Sequence, residues 1–272
     1  MNLKTSLSIE AISLEQLERV PGVLGQISRE RYFDYKNKTS ELKDNEQFPE
    51  KLSFYKALAT EGLSVIAEIK GSSPSQGKIA NLDPVQAATD YYLGGAAAIS
   101  VLTEERHFAG KLEYIPIIKA KVNLPLLRKD FTVHPLQILE AARNAASAIL
   151  IIVAVTQDKT ADYIAYVEKL GLDALVEVHD ENELRIALAA NAKIIGVNNR
   201  NLQDLSINLG NAPKLIKIAK EQGFRGLLVA ESGYKSNDEL LAIKDIADAV
   251  LIGTSLAASG NLQKALEEIR GK

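Results

Sequence analysis

Short runs of apolar residues recur along the chain from about residue 63 to the C-terminus. There are eight, and they begin near residues 63, 96, 124, 148, 174, 194, 226 and 249. Each run is almost continuously apolar rather than alternating, which is typical of strands buried on both faces of a parallel sheet. Amphipathic segments such as DKTADYIAYVEKLG (158–171) and SNDELLAIKDIAD (236–248) separate the runs and predict helices.

This alternation predicts an α/β fold of the (β/α)8 TIM-barrel type. Eight strand–helix units in about 210 residues match the size of that barrel. The competing architecture is an open, doubly wound sheet. No G-x-G-x-x-G sequence follows the first predicted strand, so the open sheet is the weaker interpretation.

The first 60 residues follow a different pattern. Residues 8–60 are charged and helical in character, and LEQLERVPGVLGQI is interrupted at Pro21 and Gly22. A polar linker over 36–50 and a short helix over about 50–60 complete this segment. We expect residues 1–272 to form a single barrel domain, of which about 1–60 is an N-terminal helical extension.

Charged and polar residues cluster at the predicted C-terminal ends of the strands, where barrel enzymes carry their active sites. Glu68 and Lys70 are two residues apart, so both point towards the barrel interior. A single charged residue there is usually a solvated ion pair. Charges on most strand ends instead predict a cavity with mutually shifted pKa values, as general acids and bases require. The other candidates for this cavity are Lys129, Glu177, Asn198, Arg200 and Glu231.

Glycine paired with serine or threonine follows the last two strands. The segments are VAESGY (229–234) and LIGTSLA (251–257). Glycine lets the backbone approach an anion closely, and this end of the barrel is its usual phosphate site. Gly-Ser is also a common turn sequence. Two such pairs on adjacent strands favour a phosphate site.

Composition excludes several classes of function. The net charge of −3 and the pI near 5.8 give no basic surface for nucleic acid. The absence of cysteine excludes disulfides, thiolate nucleophiles and cysteine-bound metals. His107, His134 and His179 do not form a spaced ligand motif, so we expect no metal site. We expect His107 and His134 to be solvated and His179 to be a structural hydrogen-bonding residue.

The apolar segments of the sequence bear on the cellular location and the oligomeric state of the protein. The N-terminus has no long apolar core behind a basic start, so we expect no signal peptide. The most apolar run, AASAILIIVAV (145–155), is too short to span a bilayer. We expect a cytoplasmic protein with no membrane partner, and a monomer because no long exposed apolar stripe is apparent.

Seven segments together resemble one enzyme family. In chain order they read AEIKGSSPSQG, SVLTEERHFAG, LLRKDF, LVEVHD, IIGVNNRNL, VAESG and LIGTSL. This set resembles indole-3-glycerol phosphate synthase, from tryptophan biosynthesis, from about residue 50 to the C-terminus. The helical segment 8–60 is similar to that family's N-terminal extension. The combination of E-I-K-x-x-S-P-S with KDF makes the resemblance specific.

The resemblance implies a (β/α)8 barrel and a carboxy-lyase that uses no metal or organic cofactor. Such enzymes close the indole ring of 1-(2-carboxyphenylamino)-1-deoxyribulose 5-phosphate and release CO₂ and water. By motif position, Lys129 is the general acid that protonates the substrate carbonyl. Lys70 binds the carboxylate region and donates a proton to the departing hydroxyl. Glu177 is a base or charge stabiliser, and Glu68 acts with it.

The resemblance also implies three sets of binding residues. Asn198 hydrogen-bonds the substrate hydroxyls, and Arg200 and Glu231 organise the rim. The phosphate is held by Ser73, Gly233, Gly253 and Thr254, with Ser232 nearby. The anthranilate ring is enclosed by Phe108, Phe131 and Leu202.

General chemistry agrees with these implied roles. Ring closure at a ketone needs a proton donor, and a lysine serves if partial burial or a neighbouring lysine lowers its pKa. Loss of a hydroxyl needs an acid and a base on opposite sides. Binding energy from the phosphate holds the reacting carbon near the carbonyl.

Two other functions are compatible with a barrel. One is the preceding isomerase of the same pathway, which resembles this barrel but uses a cysteine and an aspartate. The absence of cysteine disfavours it. The other is a non-catalytic or scaffold barrel that binds phosphate without turnover. The intact Lys70, Lys129, Glu68 and Glu177 argue against a decayed site.

Overall fold

A computed structural model describes residues 9–74, 77–79, 82–201 and 204–272, and within these residues eight parallel strands close into a barrel. Each strand pairs with its neighbours in chain order, and β1 also pairs with β8 in the register Ser64↔Ala249. The closed barrel confirms the predicted fold. The strands are β1 Ser64–Ile69, β2 Ala98–Leu102, β3 Leu126–Lys129, β4 Ala148–Ile152, β5 Asp173–Val178, β6 Ile194–Asn198, β7 Leu227–Glu231 and β8 Ala249–Ile252.

The strands are buried because helices cover the outside while side chains fill the inside. Nearly every strand residue is buried, as their continuous apolar character predicts. The helices are α1 Leu14–Glu18, α2 Gly22–Tyr35, α3 Phe54–Leu58, α4 Pro84–Leu93, α5 Tyr114–Lys119, α6 Pro135–Arg143, α7 Val153–Thr156, α8 Thr160–Lys169, α9 Glu181–Ala189, α10 Asn211–Glu221, α11 Asn237–Leu240, α12 Thr254–Ala257 and α13 Leu262–Ile269.

No helix in the described part of the chain is long and apolar enough to cross a membrane.

Several helices begin at a side chain that caps the first turn. Asp83 caps α4 and is followed by Pro84, whose missing N–H and fixed φ suit the first turn. His134 and Gln137 form a capping box at the start of α6.

The N-terminal segment is helical, with the interruption that the sequence predicts. Helix α1 ends at Glu18, and α2 begins at Gly22, where φ is +64°. Helix α3 lies inside the predicted range of 50–60. This segment is hydrogen-bonded to the barrel, because the Ile12 N–H donates to the Val133 carbonyl at 2.8 Å.

A buried network of charged side chains joins α2 to the end of β3. The Arg31 guanidinium donates to both carboxylate oxygens of Asp130, at 2.9 and 2.5 Å. Arg128 and the Thr103 hydroxyl donate to the same carboxylate, at 3.1 and 2.7 Å. Burying a charge is costly unless it is paired and hydrogen-bonded, and Asp130 has both kinds of partner. The network therefore fixes the residue next to Lys129 against the N-terminal segment.

Replacing Arg31 with methionine removes one cation from this network while keeping most of its volume. We expect Arg31→Met to lower the free energy of unfolding by about 3–5 kcal/mol, because a buried carboxylate loses a partner. Urea denaturation followed by circular dichroism measures the change. Arg19→Met is the matched control, since Arg19 pairs with Glu15 on the exposed surface, and its cost should stay below about 1 kcal/mol. Equal costs for the two variants would contradict a structural role for the buried network.

Candidate active site

The C-terminal ends of the strands surround a cavity of about 90 Å³. Two larger clefts of about 430 and 470 Å³ adjoin it. The first cleft shares Asn198 and Arg200 with the cavity, and the second shares Leu102 and Phe108. The sequence-predicted residues that line the central cavity are Glu68, Lys70, Phe108, Lys129, Phe131, Glu177, Asn198, Arg200 and Ser232.

The end of β1 supplies an ion pair that faces this cavity. Lys70 Nζ lies 3.1 Å from Glu68 Oε1, and the Ser100 hydroxyl of β2 donates to Glu68 Oε2 at 3.2 Å. Burial raises the pKa of Glu68, but the charges of Lys70 and Lys129 outweigh burial and hold this pKa below its ordinary value. Glu68 is therefore a carboxylate despite being only 3% exposed.

Lys129 lies at the end of β3 among carboxylates from three other strands. Its Nζ is 3.5 Å from Glu177 Oε2 and 3.9 Å from Glu231 Oε2. Burial lowers the pKa of Lys129, but Glu177, Glu231 and Glu68 together raise it above its ordinary value. The expectation of a lowered lysine pKa is wrong, because the surrounding negative charge outweighs desolvation.

Glu177 and Glu231 have opposite pKa shifts although both are buried. Burial raises the pKa of Glu177, but Lys129 and the neighbouring His179 outweigh it and hold the pKa low. Burial and the neighbouring Glu177 charge raise the pKa of Glu231 to about 8. Near neutral pH the pair therefore holds one carboxylate and one carboxylic acid, a separation of roles typical of acid–base sites.

A glycine on β6 makes room for one of these carboxyl groups. Gly196 pairs in register with Glu177, and a Cβ atom at Gly196 would lie 1.9 Å from Glu231 Oε1. Any larger side chain would displace the Glu231 carboxyl group. The sequence pattern does not reveal this requirement, because glycine inside an apolar strand also marks bulges and tight bends.

The end of β6 brings polar groups to the rim. Asn198 Oδ1 accepts a hydrogen bond from the Arg200 N–H at 2.9 Å. The Asn199 side-chain amide donates to the Ser232 carbonyl at 3.0 Å, which joins the loops after β6 and β7. Leu202, predicted to contact the anthranilate ring, lies outside the described residues.

Two aromatic rings form one wall of the cavity. The rings of Phe108 and Phe131 are 5.9 Å apart and tilted by 37°. Lys70 Nζ lies 5.7 Å from the centre of the Phe108 ring. This wall places an apolar face beside the lysines, which suits a flat aromatic acid.

The residues predicted to bind phosphate follow β7 and β8 and the end of β1. Leu251 pairs with Glu231, and Gly253 and Gly233 each follow two residues after this pair, just beyond the ends of adjacent strands. Ser232 and Gly233 both have positive φ, +67° and +98°, a left-handed turn that favours glycine. Thr254 begins α12, and Ser73 is buried in a two-residue strand, Ser72–Ser73, that pairs with Gly77–Lys78.

Gly253 also has a packing role that the sequence does not indicate. A Cβ atom there would lie 2.5 Å from Glu68 Oε1. Glycine at this position therefore leaves the space that the Glu68 carboxylate occupies.

The three histidines differ in part from expectation. His107 and His134 lie in loops and are partly exposed, but each also has a protein partner. His107 Nε2 lies 2.7 Å from Glu30 Oε2, and His134 Nδ1 accepts the Leu136 N–H at the start of α6. His179 is hydrogen-bonded to Glu183, as expected of a structural residue, and its ring also forms an ion pair with Glu177 of the cavity.

Among the residues with described positions, no group of three or more His, Cys, Asp or Glu side chains could hold a metal ion. The charged side chains of the cavity are two lysines paired with glutamates, together with Asp130 and Arg200. The class of protein is thus a (β/α)8 barrel with paired lysines and glutamates at its catalytic face.

Comparison with known proteins identifies the family. The indole-3-glycerol phosphate synthase family model matches residues 26–269. A relative named indole-3-glycerol phosphate synthase from Deinococcus radiodurans is 50% identical over 92% of this chain and 95% of its own length. A relative of the same name from Aquifex aeolicus is 42% identical over 88% of this chain and 92% of its own length. The chain belongs to the indole-3-glycerol phosphate synthase family.

Solved structures support the fold. KGPDC from Streptococcus mutans matches 78% of this chain and 97% of its own with a TM-score of 0.57 and 14% identity. A thiamine phosphate pyrophosphorylase from Pyrococcus furiosus matches 77% of this chain and 94% of its own. Its TM-score is 0.56, also at 14% identity. At this identity the likeness concerns the barrel alone.

The raised pKa of Glu231 makes stability depend on pH. A carboxyl group whose pKa is higher in the folded state stabilises the fold below its ordinary pKa, and this contribution is lost as pH rises towards about 8. Glu231→Gln has no proton to lose, so its melting temperature should rise relative to the unmodified protein between pH 5 and about 9. Calorimetry at several pH values measures the difference. A difference that is constant with pH would contradict the raised pKa.

Proposed function

We propose that this protein is an indole-3-glycerol phosphate synthase that closes the indole ring of 1-(2-carboxyphenylamino)-1-deoxyribulose 5-phosphate. The observation that carries the proposal is Lys129 Nζ within 4 Å of two carboxyl groups from other strands, in a cavity with an aromatic wall. Family membership supplies the substrate and the reaction. The reaction forms one carbon–carbon bond and releases CO₂ and water.

Lys129 is the proposed general acid of ring closure. The ring carbon that bears the carboxylate attacks the substrate ketone, and the ketone oxygen takes up a proton as the bond forms. A lysine with a raised pKa is fully protonated at neutral pH. An alkoxide is far more basic than an amine, so this proton transfer is favourable even from a weak acid. Loss of CO₂ then restores the aromatic ring.

Lys70 and the glutamates are proposed to complete the dehydration. Lys70 binds the carboxylate region of the substrate and donates a proton to the departing hydroxyl group. Glu177, held as a carboxylate by its neighbours, takes up a proton or stabilises positive charge on the substrate. Glu68 acts with it through its ion pair with Lys70.

The remaining cavity residues are proposed to orient the substrate. Phe108, Phe131 and Leu202 enclose the anthranilate ring, and Asn198 binds the substrate hydroxyls while Arg200 and Glu231 organise the rim. A further set holds the phosphate through backbone N–H groups and hydroxyls, and fixing the phosphate at this distance aligns the reacting carbon with the ketone. This set is Ser73, Gly233, Gly253 and Thr254, with Ser232 beside it.

The direct test is product formation from purified protein and the ribulose phosphate substrate, without added metal. Indole fluorescence should appear with the unmodified protein, and Lys129→Ala should lower kcat by about 10²- to 10⁴-fold, the usual contribution of a general acid. Lys121→Ala is the control, because Lys121 is exposed outside the cavity. Near-native turnover by Lys129→Ala would contradict the role of Lys129. Absence of product from the unmodified protein would contradict the function.

We also propose that residues 1–272 act as a single domain and as a monomer in the cytoplasm. The buried network between Arg31 and Asp130 supports one domain. The large exposed apolar residues support a monomer, since they lie on several different elements, including α2, α4, α5 and α9. Light scattering at assay concentration should give about the chain mass of 29.6 kDa. A dimer mass would contradict the monomer.

A further inference from the structure

The ring of His179 lies between two carboxylates at the end of β5. Its Nε2 is 3.2 Å from Glu177 Oε1, and its Nδ1 is 2.9 Å from Glu183 Oε2. Nδ1 is hydrogen-bonded to Glu183, whereas Nε2 contacts Glu177 as an ion pair without hydrogen-bond geometry. A carboxylate beside each ring nitrogen favours the protonated ring, in which both nitrogens carry a proton. Burial lowers the pKa of His179, but Glu177 and Glu183 outweigh it and raise the pKa to about 10.

Neighbouring elements hold the histidine in this place. The His179 N–H donates to Glu183 Oε2 at 2.8 Å, and the Glu183 N–H donates to the Asp180 cap of α9, also at 2.8 Å. The Asn211 side-chain amide donates to the carbonyls of both His179 and Asn198. The backbone at His179 is therefore fixed by α9 and α10, and its ring is hydrogen-bonded to Glu183 of α9.

Few other charges face this histidine. Besides Glu177 and Glu183, the adjacent cleft is lined by the charged groups of Asp180 and Arg200. The residues of the N-terminal segment that line it, Val20, Pro21 and Leu24, are uncharged. The two carboxylates that contact the ring therefore dominate its charge state.

The two oxygens of Glu177 have different surroundings. Oε1 faces His179, whereas Oε2 accepts no hydrogen bond from any described residue and lies 3.5 Å from Lys129 Nζ. His179 lines the adjoining cleft rather than the central cavity, and Glu177 is the cavity residue that its ring contacts. Holding one oxygen leaves the other directed into the cavity.

We propose that His179 is a positioning residue for Glu177, whose ring fixes Oε1 and whose positive charge keeps Oε2 an ionised base facing Lys129. This inference rests on the proposed ring-closure function. A misplaced catalytic group can cost a large factor in rate even when the substrate still binds. The effect should therefore fall on kcat and its pH dependence rather than on KM.

His179→Gln tests this role by removing the charge. We expect kcat to fall about 10- to 100-fold with little change in KM. The acidic limb of kcat/KM should move to higher pH, because without the cation Glu177 is protonated more easily. His134→Asn is the matched control, since Asn also caps a helix and His134 lies outside the cavity. Its pH profile should match that of the unmodified protein.

Glu183→Gln removes the carboxylate on the other side of the His179 ring and leaves His179 itself unchanged. Loss of this carboxylate lowers the pKa of His179, so the ring should lose its proton at a lower pH. The basic limb of kcat/KM should move to lower pH while the acidic limb stays in place. A uniform loss of activity at all pH values in both variants, with neither limb shifted, would overturn the proposal.

A measurement without substrate separates this proposal from the proposed function. The ¹⁵N spectrum of the unmodified protein should show both ring nitrogens of His179 protonated at pH 8, and His179→Gln assigns the signals. A neutral ring at pH 8 would overturn the proposal whatever the activity. Absence of product from the unmodified protein would instead overturn the function, and the spectrum would still decide the charge of His179. If His179→Gln does not fold, Glu183→Gln and the spectrum decide the question.

Discussion

The structure depends on how one half-buried cation, Lys129, is balanced by carboxyl groups from other strands. Removing a charge from water is expensive, and the cost is offset only by close partners. Glu68, Glu177 and Glu231 come from β1, β5 and β7 and together raise the pKa of Lys129. This balance requires the strands to close into a barrel, because in an extended chain these residues are far apart.

The side chains around Lys129 and its glutamates set the protonation state of each carboxyl group. Lys70 and Lys129 keep Glu68 ionised, and Lys129 and His179 do the same for Glu177. Glu231 shares Lys129 with Glu177, and its own pKa is raised. One arrangement of side chains thus supplies an ammonium donor, ionised bases and a neutral acid at one pH, which is the combination that ring closure followed by dehydration needs.

Much of this could be read from the sequence, and the reasons for the exceptions are physical. The barrel follows from eight continuous apolar runs, and the strand-end residues follow from the rule that the carboxyl ends of barrel strands meet at one face. The direction of the Lys129 pKa shift could not be read, because it depends on distances between strands. Nor could the fit of Gly196 against Glu231, or the contact of Arg31 with Asp130 across 99 positions of the chain. Leu202 stays a prediction from the family motif.

We infer above all that the carboxylates keep Lys129 charged until the substrate takes its proton. The sharpest measurement of this charge is ¹⁵N NMR of the lysine ammonium groups in the free protein, with Lys129→Arg used to assign the signal. We expect Lys129 to keep its proton as pH rises beyond the ordinary lysine range. Its ammonium group should therefore titrate at a higher pH than those of exposed lysines. A Lys129 signal that titrates below the exposed lysines would contradict this inference.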